Sequence, residues 1–141
     1  MIKSKFIRVL FFSLGIIWLF SACAKNPSPK RVEKKIAEGT WKIGQAKVDN
    51  TTITSAYNGV KFVFRDYGTI DVSGTISTSG SWYCGEGDDP TLLFMSFPIS
   101  VTELSVFSDD WIVDEMSKKE CILRRNESST QEDVLVFKRI D

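Results

Sequence analysis

The sequence predicts an all-β domain, a single antiparallel up-and-down β-barrel of about eight strands. Three observations point there. From Gly39 onward the chain breaks into short runs rich in β-branched and aromatic residues, with turn signals roughly every 8 to 12 residues. In the clearest runs apolar and polar residues alternate with a period of two, as on a half-buried strand. No stretch between Gly39 and Asp141 carries an uninterrupted amphipathic helical pattern, and hairpin-sized connections favour antiparallel neighbours. A meander of that many strands with one apolar face must stack as two sheets or curl shut. Closure removes the exposed edges, so a barrel is expected.

Taken in order, Trp41, Ile43 and Gln45 alternate with Lys42 and Gly44, and Val60, Phe62 and Phe64 alternate with Lys61 and Arg65. Asp66-Tyr67-Gly68 supplies a tight reversal in which Gly68 is free to take a positive φ, and Ile70 and Val72 then alternate with Thr69, Asp71 and Ser73. Further strands are predicted at Ser81 to Cys84, Leu92 to Phe97, Thr102 to Phe107, Trp111 to Met116, Lys119 to Arg125 and Val134 to Ile140, about nine short strands in all.

Ahead of the barrel the chain has another character. Lys3, Lys5 and Arg8 precede an apolar run from Val9 to Phe20, and Ser21 and Ala22 lead into Cys23; this is the layout of a secretory signal peptide. An uncleaved transmembrane anchor over Phe6 to Ala24 is the alternative, nearly long enough at the roughly 20 residues a bilayer requires. Two small residues before a cysteine argue for cleavage. The expected organisation is a signal peptide over 1–22, a lipidated cysteine and basic tether over 23–38, and the barrel over 39–141. Asn26-Pro27-Ser28-Pro29 and the lysines that follow suit an extended, flexible spacer. Val32 and Ile36, four apart, would let one short helical turn close the barrel's mouth before Gly39.

Charge is unevenly spread. The 18 basic and 18 acidic residues balance, but the leader removes three cations and leaves 15 against 18. From Lys25 to Lys47 seven basic residues face Glu33 and Glu38, whereas Asp66 to Ser117 holds ten carboxylates and no Lys or Arg. The basic part suits either an anionic lipid surface or plain solvent. A folded part this acidic is a poor partner for nucleic acid, so none is expected.

The run "LFSAC" resembles the lipobox of bacterial lipoproteins, and "EGTWKIG", with Gly39-x-Trp41 at the first strand, resembles the start of a lipocalin. Read onward through "GVKFVFRDYGTIDVSG", "GSWYC", "LLFMSFPISVTELSVF", "DWIVDEMSKKECILRR" and "LVFKRI", the chain is similar to the lipocalin-like lipoproteins of Bacteroidetes from Ile36 to Ile140. The resemblance implies lipidation of Cys23, attachment to the outer membrane through the acyl chains, and a Trp41 that closes one barrel end under an arginine. Arg139 in the last strand is that arginine's candidate and Arg124 its substitute. The acidic signal that the resemblance associates with surface display does not follow Cys23, so the periplasmic face is expected, with the cell surface as the alternative.

The chain has no histidine, which removes the commonest general base and metal ligand; no enzymatic role, cofactor or metal is expected. "GEGDDP" groups Glu86, Asp88 and Asp89 as a Ca²⁺ loop would, but without the spacing of a known site, so a solvated turn is favoured. Cys84 and Cys121 either form a disulfide, which an exported compartment permits, or stay as two buried thiols. Phe62, Phe64, Trp82, Phe94, Phe107 and Trp111 are candidates for the barrel interior, where they either line a pocket for a small hydrophobic or amphipathic ligand or fill it. The rival function is a protein-interaction or inhibitor module that uses an outer face or loop, with the acidic span from Asp66 to Ser117 meeting a basic partner.

Overall fold

The computed structural model describes residues 24–85, 90–128 and 130–141. The signal peptide, Cys23 and the carboxylates of Glu86, Asp88 and Asp89 lie outside the described residues. In chain order the elements are β1 (Ala24–Lys25), α1 (Pro29–Ile36), β2 (Thr40–Val48), β3 (Thr51–Thr52), a 3-10 turn (Thr54–Tyr57), β4 (Val60–Phe64), β5 (Thr69–Gly74), β6 (Thr78–Cys84), β7 (Leu92–Ser96), α2 (Thr102–Ser105), β8 (Asp109–Met116), β9 (Glu120–Ser128) and β10 (Gln131–Arg139).

Eight of these strands close on themselves in the order β2-β4-β5-β6-β7-β8-β9-β10, with β10 pairing back to β2 and every pair antiparallel. Each strand's neighbour in the sheet is its neighbour in sequence, so the barrel is a pure meander and resembles a lipocalin in its topology. The β4–β5 hairpin forms where the alternation predicts it: Phe62 faces Val72 and Phe64 faces Ile70 across the pair. Gly68 takes φ +92° and donates its N–H to the Arg65 carbonyl, a backbone conformation few other residues adopt without cost.

Three expectations change. On β2 an extra residue intervenes, because Phe137 pairs with Ile43 but the next residue back, Val136, pairs with Gln45. The bulge at Gly44 reverses the alternation, so Ala46 and Val48 point inward while Gln45 is exposed. Thr102 to Phe107 is not a strand: Thr102–Ser105 is helical, and Leu104 and Phe107, three apart, both face inward as a helical turn requires. The stretch expected to be an extended spacer with one short helical turn at Val32 and Ile36 carries a longer helix and a strand pairing. Ala24 and Lys25 pair with Met116 and Glu115 of β8, on the length of edge beyond the end of β7, and Pro29–Ile36 is a helix.

Local chemistry explains that helix. The Ser28 hydroxyl caps it by accepting from the Arg31 N–H, Pro29 occupies its first turn, and Lys34 and Lys35 sit in its last. Val32 and Ile36 share one face and are fully buried against the barrel end. The Thr91 hydroxyl donates to the Pro27 carbonyl at 2.6 Å in a buried position, tying the lead-in to the start of β7.

Candidate functional site

The barrel interior holds a cluster of buried side chains, aromatic rings among them. Phe62, Phe64 and Trp82 point inward; Phe62 and Phe64 meet Phe137 edge to face, with centroids 5.2 Å and 5.5 Å apart, and Trp82 meets Phe64 at 5.8 Å. An eight-stranded barrel is only just wide enough for its own side chains, and four rings across the axis take that space. The Trp82 indole N–H donates to the Arg65 carbonyl, so that polar group is buried without loss.

Both ends are stoppered. At one, α1 presses Val32 and Ile36 onto the barrel, and the Trp41 N–H donates to the Ile36 carbonyl at 2.8 Å. At the other, Phe107 and Leu104 plug the opening, and the Tyr57 hydroxyl donates to the Glu103 carbonyl at 2.6 Å while its ring lies 5.1 Å from Phe107. Burial pushes the Tyr57 phenol up to about 12, with the charge of Glu103 adding to it. Trp111 is fully buried beneath this plug, 6.3 Å from Phe107.

The arginine stacked on an indole among the described residues is Arg125, 4.3 Å above Trp111. Arg125 also forks onto the fully buried carboxylate of Asp133 and reaches Asp109 at 3.2 Å. Arg139 stands opposite Trp41 in the β2–β10 register, but its guanidinium is spent on the Glu38 carbonyl and the Asp141 carboxylate. Arg124 pairs with Asp114 at 2.6 Å on the outer face. The cation–indole contact that the family resemblance implied for Trp41 thus occurs at the opposite end, on Trp111. Cys84 and Cys121 are not bonded to each other; both are free, buried thiols, and burial raises both above the ordinary thiol range, Cys84 to about 12.

Phe94 is not an interior residue. Leu93, Met95 and Phe97 take the inward positions of this stretch, and Phe94 stands outside, stacked on Tyr83 with centroids 4.4 Å apart and rings 9° from parallel. In the register Tyr83 faces Phe94 and Phe94 faces Asp110, so two rings and a carboxylate form one row across β6, β7 and β8 on the outer surface. A shallow cleft of about 340 Å³ runs over it, lined also by Ser81, Ser96, Ser108 and Asp109. Tyr83, 61% exposed, also borders a wider cleft of about 710 Å³ shared with Tyr67, Asp66 and the α1 residues Lys30, Glu33 and Lys34.

The two neighbouring carboxylates differ. Burial raises Asp109, but the Asp110 hydrogen bonds and the Arg125 charge outweigh it and hold the group below the usual carboxylate range. Asp110 goes the other way, raised chiefly by its side-chain contact with Asp109 and then by burial. The pair therefore keeps one firmly ionised oxygen site beside a group that takes up a proton more readily.

This wall was hidden in the charge pattern. Because the fold is a meander, the lysine- and arginine-free span from Asp66 to Ser117 becomes four adjacent strands, β5 to β8, one continuous side of the barrel. Among the described residues no group of three His, Cys, Asp or Glu side chains is arranged to hold a metal ion, and no helix is long and apolar enough to cross a membrane. Set against protein-family models, curated proteins and solved structures, the chain matches none.

Proposed function

We propose that this chain is an exported lipoprotein of the lipocalin-like kind, acylated at Cys23 and held on the periplasmic face of an outer membrane. In this reading the domain has no enzymatic role and binds a partner through its outer β5–β8 wall. The observation that carries it is the Tyr83–Phe94–Asp110 row on the outer surface, with Tyr83 and Asp110 exposed and Phe94 half-buried between them, on a wall with no cation of its own strands. Flat aromatic faces beside carboxylates suit the guanidinium or ammonium groups of a basic protein segment: the rings attract the cation, and the carboxylates take its hydrogen bonds. Four rings across the axis and two stoppered ends support surface docking over carriage in the lumen.

A second reading draws on the barrel fold itself. A small apolar or amphipathic ligand would enter after the Phe107 plug lifts away from Tyr57. Native mass spectrometry of the acylated protein purified from its own host separates the two. Docking expects the mass of the lipidated chain alone, with chemical cross-links to a basic partner that map to the Tyr83 wall and disappear in Tyr83→Ala. A retained small-molecule mass lost on Phe107→Ala overturns docking. The same spectrum tests the anchor, since a chain whose residue 23 carries no diacylglyceryl group rejects the lipoprotein reading.

A further inference from the structure

The lead-in to the barrel is short and is paired into the sheet. Ala24 is already hydrogen-bonded into the sheet beside Met116, and the Asn26 N–H donates to the Asp114 carbonyl at 3.1 Å. Consecutive Cα atoms are about 3.8 Å apart, so a lipid on Cys23 leaves the chain within one residue of the barrel edge. No spacer separates the two.

The same end gathers cations. Lys30 and Lys34 stand on the solvent side of α1, Lys118 and Lys119 in the β8–β9 turn, and Lys138 near the end of β10. None of the five has a carboxylate partner among the described residues, whereas Lys35 and Arg139 share Glu38, and Arg139 also holds Asp141. Lys118, Lys119, Lys138 and Arg139 line one cleft of about 490 Å³ together with Glu120 and Asp141. The Arg139 N–H donates to the Lys119 carbonyl at 2.8 Å, which fixes the turn beside the last strand. The strand ends that carry Asp109 and Asp110 are at the opposite end of the barrel.

We infer that the lipidated protein sits flush on an anionic bilayer with its α1 end down, Lys118, Lys119 and Lys138 against headgroup phosphates, and the Asp109–Asp110 end turned away. The inference rests on the lipoprotein reading and deepens it: the anchor sets the distance, and the unpaired lysines set the orientation. Attraction of this kind falls off within a Debye length and is screened by salt. A barrel on a flexible tether would spend little time within that range.

The test uses the full acylated protein from host membranes, reconstituted into vesicles of phosphatidylcholine alone or of phosphatidylcholine mixed with phosphatidylglycerol. Lysine acylation by a soluble amine reagent is read site by site by mass spectrometry. On the anionic vesicles at low ionic strength Lys118 and Lys119 label several-fold more slowly than on neutral vesicles. High salt abolishes the difference, and exposed Lys61 on β4 labels alike throughout. Equal labelling of Lys118 and Lys61 on both vesicles, with the acyl mass present on Cys23, overturns the orientation alone. A protein that lacks the acyl mass and stays in the supernatant overturns the anchor and the orientation with it.

Discussion

The indole N–H of Trp41 donates to the main-chain carbonyl of Ile36 at 2.8 Å, so the first barrel strand holds the last turn of the helix that closes its own end. Both groups are buried, and α1 has no other such bond to β2. Trp41→Phe keeps most of the ring and leaves the Ile36 carbonyl without a partner, at a cost of about 1–3 kcal/mol. Urea denaturation reads the loss, and hydrogen exchange should show α1 amides opening before those of β2. Unchanged exchange in α1 would mean that packing of Val32 and Ile36 alone holds the helix.

Arg125 is the countercharge of Asp133, which is fully buried on β10 and also accepts the Asp49 N–H. Removing one partner of a buried pair strands the other, and Arg125→Ala should destabilise by about 3–5 kcal/mol, a fall of roughly 10 °C or more in the melting midpoint. Arg125→Lys restores the charge but loses the fork onto Asp133 and the flat contact with Trp111, so its midpoint falls between the two.

The inner and outer rings should separate cleanly by mutation. Phe64→Ala empties a site between Trp82 and Phe137 and costs about 3–5 kcal/mol. Tyr83→Ala loses one exposed stack and costs about 0.5–1.5 kcal/mol. Comparable costs in the two variants, read from urea midpoints at equal slope, would place Tyr83 in the core and remove the candidate site.

Alkaline pH should weaken the Phe107 end. The Tyr57 phenol rises from 10.0 to about 12 because burial, aided by Glu103, penalises its ionised form. The folded state thus holds this proton more tightly than the unfolded chain. Its contribution to stability is complete below pH 10 and is lost as pH rises towards about 12. Tyr57→Phe costs about 1 kcal/mol at neutral pH through the lost bond to Glu103 and flattens the stability profile over that window.

The two thiols should be silent until the barrel opens. Cys84 and Cys121 are buried, and burial raises both, so little thiolate exists at about pH 8, near the ordinary thiol value of about 8.5. Alkylation of the native protein, followed by mass spectrometry, should leave both unmodified and proceed only at the rate of unfolding. Rapid labelling of either would show that the α1 end opens on its own.

Several elements were legible in the sequence for definite reasons. Val60 to Val72 alternates strictly around one glycine turn, and only a hairpin satisfies that pattern. Val32 and Ile36 announced the α1 stopper by their spacing. The errors have physical causes as well. "LLFMSF" is apolar at nearly every position, so its period does not say whether Phe94 or its neighbours Leu93 and Met95 turn inward; pairing with β6 and β8 decides it. In Thr102 to Phe107 β-branched and aromatic composition suggested a strand, while the spacing of three between Leu104 and Phe107 served a helical plug. At Gly44 a bulge, invisible to periodicity, changed which side of β2 faces in.

What the amino-acid order determined alone is the all-β meander, its turns, and the separation of basic start from acidic middle, because these depend on neighbours along the chain. What only the closed barrel decided is that Tyr83, Phe94 and Asp110 share one outer row, that Arg125 lies over Trp111, and that position 24 is already locked to β8. Those juxtapositions bring together residues from different strands through register and closure, and no local pattern encodes how far one strand slides along the next.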